Sequence, residues 1–461
     1  MDSQNLLEQL FPSPRAPRAP LAPSPWPGVT AESTQTLAEL LRANHIKYHC
    51  FFNDSNFHNH LVHHLLAAFA LGCTPTLLNA AYKLHADYQR ALKPSPSDIT
   101  EENWTKHLAQ PQYYPGYLSF FQNQILQRGM AEVLEAYVFS PAANKPGVDM
   151  FARFFSGLVH PLIHFGHGPE FGLPGIAAEG LAMTAVSKNI AGGLFPPLFF
   201  EQEVPPGPGP HALSIAARLI ADPELAYGKG ADPKSQARFQ DAIKRSGDRL
   251  REYYAAWSPE GPFTEKYEEL VWLVCAIYGF SGWKKGKVFQ ANFFMLHLVT
   301  SSLFVSSIHD LLTPRSQKLF LRGFLATSLT YYVGHGRISW DIAEFFAEPL
   351  SSYPMPPQPD PSPASSTLDR SHINQNPWFA ILQSALSHPD EHLIKIQRSL
   401  AHYAARWGQC PKGHLKETEL KGAENIDGSL FLRLAILTGK AKAWVREGEP
   451  SYDAEWNRSY L

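Results

Sequence analysis

Residues 151–186 read FARFFSGLVHPLIHFGHGPEFGLPGIAAEGLAMTAV. His160, His164 and His167 stand there among Phe154, Phe155, Leu158, Leu162 and Phe165, company that a solvent-facing histidine does not need. His160 and His164 are four residues apart, which sets both imidazoles on one helical face if the helix survives Pro161. The first expectation is a buried histidine site on a helix, able to hold a metal if the rest of the chain brings more ligands.

Outward from this stretch, nearly every periodic segment is helical. Helices are expected near residues 57–71, 75–88, 117–127, 130–138, 148–160 and 174–187, and then near 233–257, 264–278, 288–312 and 314–333. The last three fall near 378–386, 389–407 and 430–444. Capping residues support them: Asp54-Ser55 and Gly72 bracket the first, and Pro75 opens the second. β-branched alternating runs bounded by turns are almost missing. The fold class is therefore all-α, with one large multi-helix domain over residues 31–461. Pro at high density in residues 1–30 blocks helix and sheet and marks a disordered or loosely docked tail. Residues 192–210 form a Gly- and Pro-rich loop, and a Pro/Ser-rich surface linker is expected at about residues 348–367.

The chain has 461 residues, 44% hydrophobic and 12% aromatic, enough for a sizeable core. Its net charge of −2 excludes electrostatic binding to nucleic acid or to anionic membranes. Cys50, Cys73, Cys275 and Cys410 are far apart and form no CxxC, which suits a reduced cytoplasmic protein. No apolar run follows the N-terminus, and residues 289–308 are too polar for a membrane span.

Several reaction classes lack their motifs. There is no GxGxxG after a strand, no P-loop, no HExxH, no GxSxG and no paired Glu-x-x-His. Redox chemistry here must rest on a metal held mainly by histidine, or on a cofactor bound without a familiar motif.

Four segments supply candidates. In FHNHLVHHLL, residues 57–66, His60 and His64 fall within about 40° of each other on a helical wheel, while His58 and His63 point elsewhere, exposed or bonding behind the site. His160 and His164 form the second pair, with Glu170 and Glu179 as acceptors for the far ring nitrogen of a ligand. His297 is the sole strongly polar group on a very apolar turn of FFMLHLVTSSLFVSS. In HPDEHLIKIQRSLAHY, His392 and Lys395 share a face, and Asp390 and Glu391 suit the positive end of the helix. Each histidine alone reads equally as a hydrogen-bonded core residue, and a lysine as a solvated charge.

The blocks NDSNFHNHLVHHLLAAFALG, GLVHPLIHFGHGPEF with AAEGLAMTAV, FFMLHLVTSSLF and HPDEHLIKIQRSL, in this order over residues 53–403, resemble the questin oxidase-like family. The resemblance implies an oxidoreductase of fungal polyketide pathways that opens the central ring of an anthraquinone by Baeyer–Villiger-type oxidation. It implies a non-haem Fe(II) site with His60, His160, His297 and His392 as ligands and Lys395, carboxylated by CO₂, completing the set. His164 or His64 could replace one of them. Catalytic roles fall to His160, His164, His297 and Lys395. His167 departs from the family pattern, where an aromatic such as Tyr is expected.

The function implied is a mono- or dioxygenase with O₂ as co-substrate, and with NADPH, supplied directly or through a quinone reductase, as reductant. Aromatic residues of 151–171 and 289–304 would wall the pocket for a polycyclic polyketide. Two other classes remain open: a metal-dependent hydrolase or cyclase, and a non-catalytic helical protein that binds pathway intermediates.

Overall fold

The structure, a computed structural model, describes residues 3–201, 207–226, 235–356, 376–445 and 455–458. Among them the chain is all-α, with no strand and only three isolated backbone bridges. No helix among the described residues is long and apolar enough to cross a membrane, and all four cysteines are free.

Four helices form a closed ring. Glu391–Trp407 packs on both Leu61–Ala70 and Phe293–Ser302, and His160–Phe171 packs on the same two from the other side. Pro174–Val186 backs His160–Phe171 at close range. A Cβ on Gly180 would lie 2.5 Å from the Phe165 backbone nitrogen, so the small residues of AAEGLA are what let the two helices touch.

How each helix begins decides where its histidine points. The Asn292 side chain accepts from the Phe294 and Met295 N–H groups, and that of Asp390 from His392 and Leu393, so both helices start on capped ends. The helix expected from residue 57 starts only at Leu61, with His60 as its N-cap residue and Asn59 Oδ1 accepting the Leu61 N–H at 3.0 Å. The helix expected over 148–160 ends at Phe154. After it, Gly157, Leu158 and Val159 turn left-handed at φ 55°, 56° and 56°, and a new helix starts at His160. Each of the two non-glycine residues costs about 1–2 kcal/mol in that conformation. Pro161 falls in the first turn of the new helix, where its missing N–H is no loss.

The Pro-rich N-terminal stretch takes the docked form. Ser3–Leu10 is helical, Leu10 and Phe11 are fully buried, and the Phe11 ring meets His45 edge-on at 4.8 Å. The Arg15 N–H donates to the Phe171 carbonyl and that of Trp26 to the Ala70 carbonyl. The prolines begin only at Pro12, after the helix, and they do not prevent burial, which corrects the reading of a disordered tail. Of the linker placed at about 348–367, the described part holds one short turn, Leu350–Ser352, and residues from 357 onward lie outside the described residues.

Candidate active site

The ring of helices carries a ring of imidazoles. Centroid separations are 4.9 Å for His60–His160, 4.8 Å for His160–His297, 5.1 Å for His297–His392 and 4.7 Å for His392–His60. His60, His160 and His392 sit at or within a turn of a helix start, and His297 lies inside its helix.

Each of the four rings has an oxygen at its Nδ1. His160 Nδ1 meets the Gly157 carbonyl at 2.6 Å, an oxygen the left-handed turn puts in reach. His297 Nδ1 meets the Phe293 carbonyl at 2.7 Å. His60 Nδ1 and His392 Nδ1 each lie 3.2 Å from Glu391 Oε1, and His392 Nδ1 is also 3.5 Å from Asp390 Oδ1. Carbonyls only accept, so the ring proton of His160 and of His297 belongs on Nδ1, and the carboxylate beside His60 Nδ1 favours the same tautomer there. Burial holds His60, His160 and His297 well below the ordinary imidazole range, so all three are neutral at pH 7.

The Nε2 atoms of His60 and His160 face each other at 2.7 Å, a hydrogen-bond distance in which the tautomer decides which ring donates. Among the described residues, the buried Nε2 atoms of His297 and His392 have no hydrogen-bond partner. His60, His297 and His392 each offer a nitrogen within 4.8 Å of the others. Converging unprotonated nitrogens, oriented by acceptors at their far side, are the donor chemistry that suits a divalent transition metal. The residues fit such an ion.

Lys395 is buried one turn along from His392. Burial lowers its ammonium to about 8, opposed by the charges of Glu391 and Asp390. Its charge helps to hold His58, His60, His160 and His297 below the ordinary imidazole range.

A cavity of about 930 Å³ opens on this site, with His58, His60, His160, Glu391 and His392 in its lining. The flat walls come from Phe51, Phe52, Phe57, Phe239, Phe293, Phe294 and Tyr331. Phe293 and Phe294 belong to the stretch expected to form walls. The phenylalanines of 151–171 do not: Phe151 and Phe155 pack on Phe195 in the core instead.

The remaining histidines serve other contacts. His58, expected to point elsewhere, is buried and stacks on His160 at 4.1 Å with the rings 6° from parallel. His164 does not join the square: its Nδ1 meets His63 Nε2 at 3.1 Å, and its Nε2 meets Glu179 Oε2 at 2.7 Å. Glu179 Oε1 continues to His45 Nδ1 at 2.5 Å. His64 pairs with His85 at 2.8 Å, away from the square. His167 is buried against Phe304 at 4.4 Å, its Nδ1 3.5 Å from Glu170. Glu170 itself forms a buried ion pair with Arg398, which ties the His160 helix to the His392 helix. Neither Glu170 nor Glu179 backs His160. The carboxylate that backs two of the rings is Glu391, which the sequence showed only as an acidic residue at a helix start; its position next to His392 was the available signal.

An all-α protein with a buried imidazole square under an aromatic cavity is the class that fold and site define. The model of the family described as questin oxidase-like matches residues 57–400, and the chain belongs to that family. It is 32% identical to a questin oxidase of Aspergillus fumigatus over 88% of this chain and 87% of that one. A questin oxidase of Aspergillus terreus is 26% identical over 91% and 87%. A Baeyer-Villiger monooxygenase of Aspergillus aculeatus, AacuH, is 37% identical over 35% of each chain, so there the chain spans only about a third of its relative.

Proposed function

We propose that this oxidoreductase opens a ring of a fused-ring polyketide quinone with dioxygen, at an Fe(II) site built from His60, His160, His297 and His392 with carboxylated Lys395. The observation that carries the reading is the convergence of four buried imidazoles, each with an oxygen at its Nδ1. Relatives named questin oxidase and Baeyer-Villiger monooxygenase support the oxidative class and a polyketide substrate.

Iron(II), when bound, supplies the one-electron chemistry that lets dioxygen react with a closed-shell organic substrate. The protein's share is positioning. Phe293, Phe294, Phe51 and Tyr331 offer faces against which a flat tricyclic system stacks, in a volume suited to such a ligand. Glu391 fixes two imidazoles with one carboxylate oxygen, so the donors lose no further freedom when they bind. At pH 7 an amine titrating at about 8 is neutral in about a tenth of the molecules, the form that reacts with CO₂. Insertion of one oxygen atom next to a carbonyl sends the other to water and consumes two electrons and two protons. The reduced hydroquinone form of the substrate, or NADPH through a separate quinone reductase, would supply the electrons.

Metal analysis of the purified protein joined to an oxygen-uptake assay with a reduced hydroxyanthraquinone tests the proposal. Iron near one per chain and substrate-dependent uptake are expected. Stoichiometric zinc with no uptake would move the chain to the hydrolase or cyclase class.

A further inference from the structure

Residues 455–458 lie beyond the stretch matched by the family model, yet in space they stand at the cavity. The Phe293 N–H donates to the Asn457 carbonyl at 2.8 Å, and the Asn457 N–H donates to the Ala291 carbonyl at 3.0 Å. Trp456 is buried, and its indole N–H donates to Asp390 Oδ2 at 2.7 Å. That same carboxylate caps the His392 helix and pairs with Lys442 at 3.0 Å. The segment is thus fastened to the starts of two helices that carry imidazoles of the square.

Its next residue, Arg458, lines the cavity with its guanidinium carbon 4.6 Å from the centre of the Phe293 ring. Phe293 in turn meets the rings of His297 and His392 at 4.8 and 5.0 Å. Among the described residues, no carboxylate forms an ion pair with Arg458. Arginine stays charged at any working pH and offers a planar fork of donors. Stacked on a wall of an aromatic cavity, it is within reach of whatever the cavity holds, and among the described residues no carboxylate takes up its charge.

We infer that residues 455–458 complete the active-site cavity, and that Arg458 is a specificity-determining residue that binds the acidic phenol oxygens of a flat hydroxyquinone lying along Phe293. The inference rests on the polycyclic substrate class proposed above. A phenol next to a quinone carbonyl presents two oxygens in one plane, a match for two parallel N–H groups of a guanidinium. The neutral aromatic walls give affinity to any flat ring system, and the fork adds discrimination among them by their oxygens.

Direct binding separates the two readings, because it needs no turnover. A dihydroxyanthraquinone and its dimethyl ether are titrated into the purified full chain, wild type and Arg458→Gln, and followed by absorbance. Arg458→Gln is expected to weaken the dihydroxy compound about tenfold, the loss of one charge-assisted contact, and to leave the dimethyl ether unchanged. A chain ending at residue 454 is expected to lose the same preference. If wild type binds the dihydroxy compound and Arg458→Gln binds it equally well, the role of Arg458 is overturned while the substrate class stands. If wild type binds neither compound, both readings fall.

Discussion

His60 and His160 stand a hundred residues apart in the chain and meet through their Nε2 atoms at 2.7 Å, each with its Nδ1 held by an oxygen that can only accept. Two ring nitrogens this close need a proton or a cation between them. A metal ion bound there would take the place of that proton. His297 offers a buried Nε2 that has no hydrogen-bond partner among the described residues.

His297→Leu follows from that. The substitution replaces an unsatisfied buried nitrogen by hydrocarbon of similar size. The metal-free variant should be as stable as wild type or more so, by about 1 kcal/mol, while its iron content falls sharply. Thermal melts of chelator-treated protein and metal analysis check the pair of effects. A histidine serving only the core would give the opposite result, lower stability with metal content unchanged.

Glu391→Gln keeps the shape of the side chain and removes its charge. His60 and His392 then face a neutral amide, whose oxygen accepts more weakly than a carboxylate and whose NH2 can turn toward them instead. Metal affinity should fall about 10–100-fold with the helical circular dichroism unchanged, which competition with a metal chelator measures. The same change at Glu170, which pairs with Arg398 and backs no ring of the square, should destabilise the fold and alter metal affinity far less.

Much of this was legible in the sequence. The four segments that carry the square stand out because each sets histidine in apolar company, and the all-α class follows from their period. What was not legible is how each helix begins. His60 was grouped with His64 on a wheel that assumes a helix from residue 57, whereas Asn59 starts the helix later and leaves His64 facing His85. His160 was grouped with His164, but an imidazole at the first residue of a helix points out of its end toward the cavity, while one a turn deeper meets His63 and Glu179. The walls supplied by Phe51, Phe239 and Tyr331 come from segments without any local mark of a site. They are brought there by long-range packing that periodicity does not encode.

Lys395 gives a pH signature. Carboxylation needs the neutral amine, and burial lowers the ammonium to about 8. Raising the pH from 6 toward 8 should raise activity, and added bicarbonate should raise it most at the low end of that range. Lys395→Met should abolish the bicarbonate effect. Activity measured against bicarbonate at fixed pH checks this, and a flat response in wild type would exclude the modified lysine.

Glu179 sets an acid limit on stability. Burial alone would raise its carboxyl, but the hydrogen bonds from His164 and His45 outweigh burial and bring it down to about 2. A carboxyl with a folded value below its unfolded one, about 4.3, stabilises the fold above the unfolded value and loses that contribution as pH falls through the folded one. The window therefore runs from about 4.3 down to about 2, and the contribution is about 3 kcal/mol. Denaturant unfolding at pH 5 and pH 3 should show wild type losing more stability than Glu179→Gln, which has no carboxyl to protonate.

The left-handed turn before His160 gives the last prediction. Gly157 has φ 55°, and a Cβ there would meet His58 Cε1 and Nε2 at 3.1 Å. Gly157→Ala must therefore adopt a conformation that L residues disfavour and also push on the ring stacked over His160. A destabilisation of about 1–2 kcal/mol is expected from the backbone alone. The functional loss should be larger than that figure suggests, because the same turn aims the Gly157 carbonyl at His160 Nδ1. If the carbonyl moves, His160 is free to take the other tautomer, with its proton on Nε2 and no lone pair for a metal. The variant should then bind metal weakly even at temperatures where it is fully folded, as metal titration well below its melting point will show. Strain at Leu158 and Val159 is what the fold accepts to hold that oxygen in place.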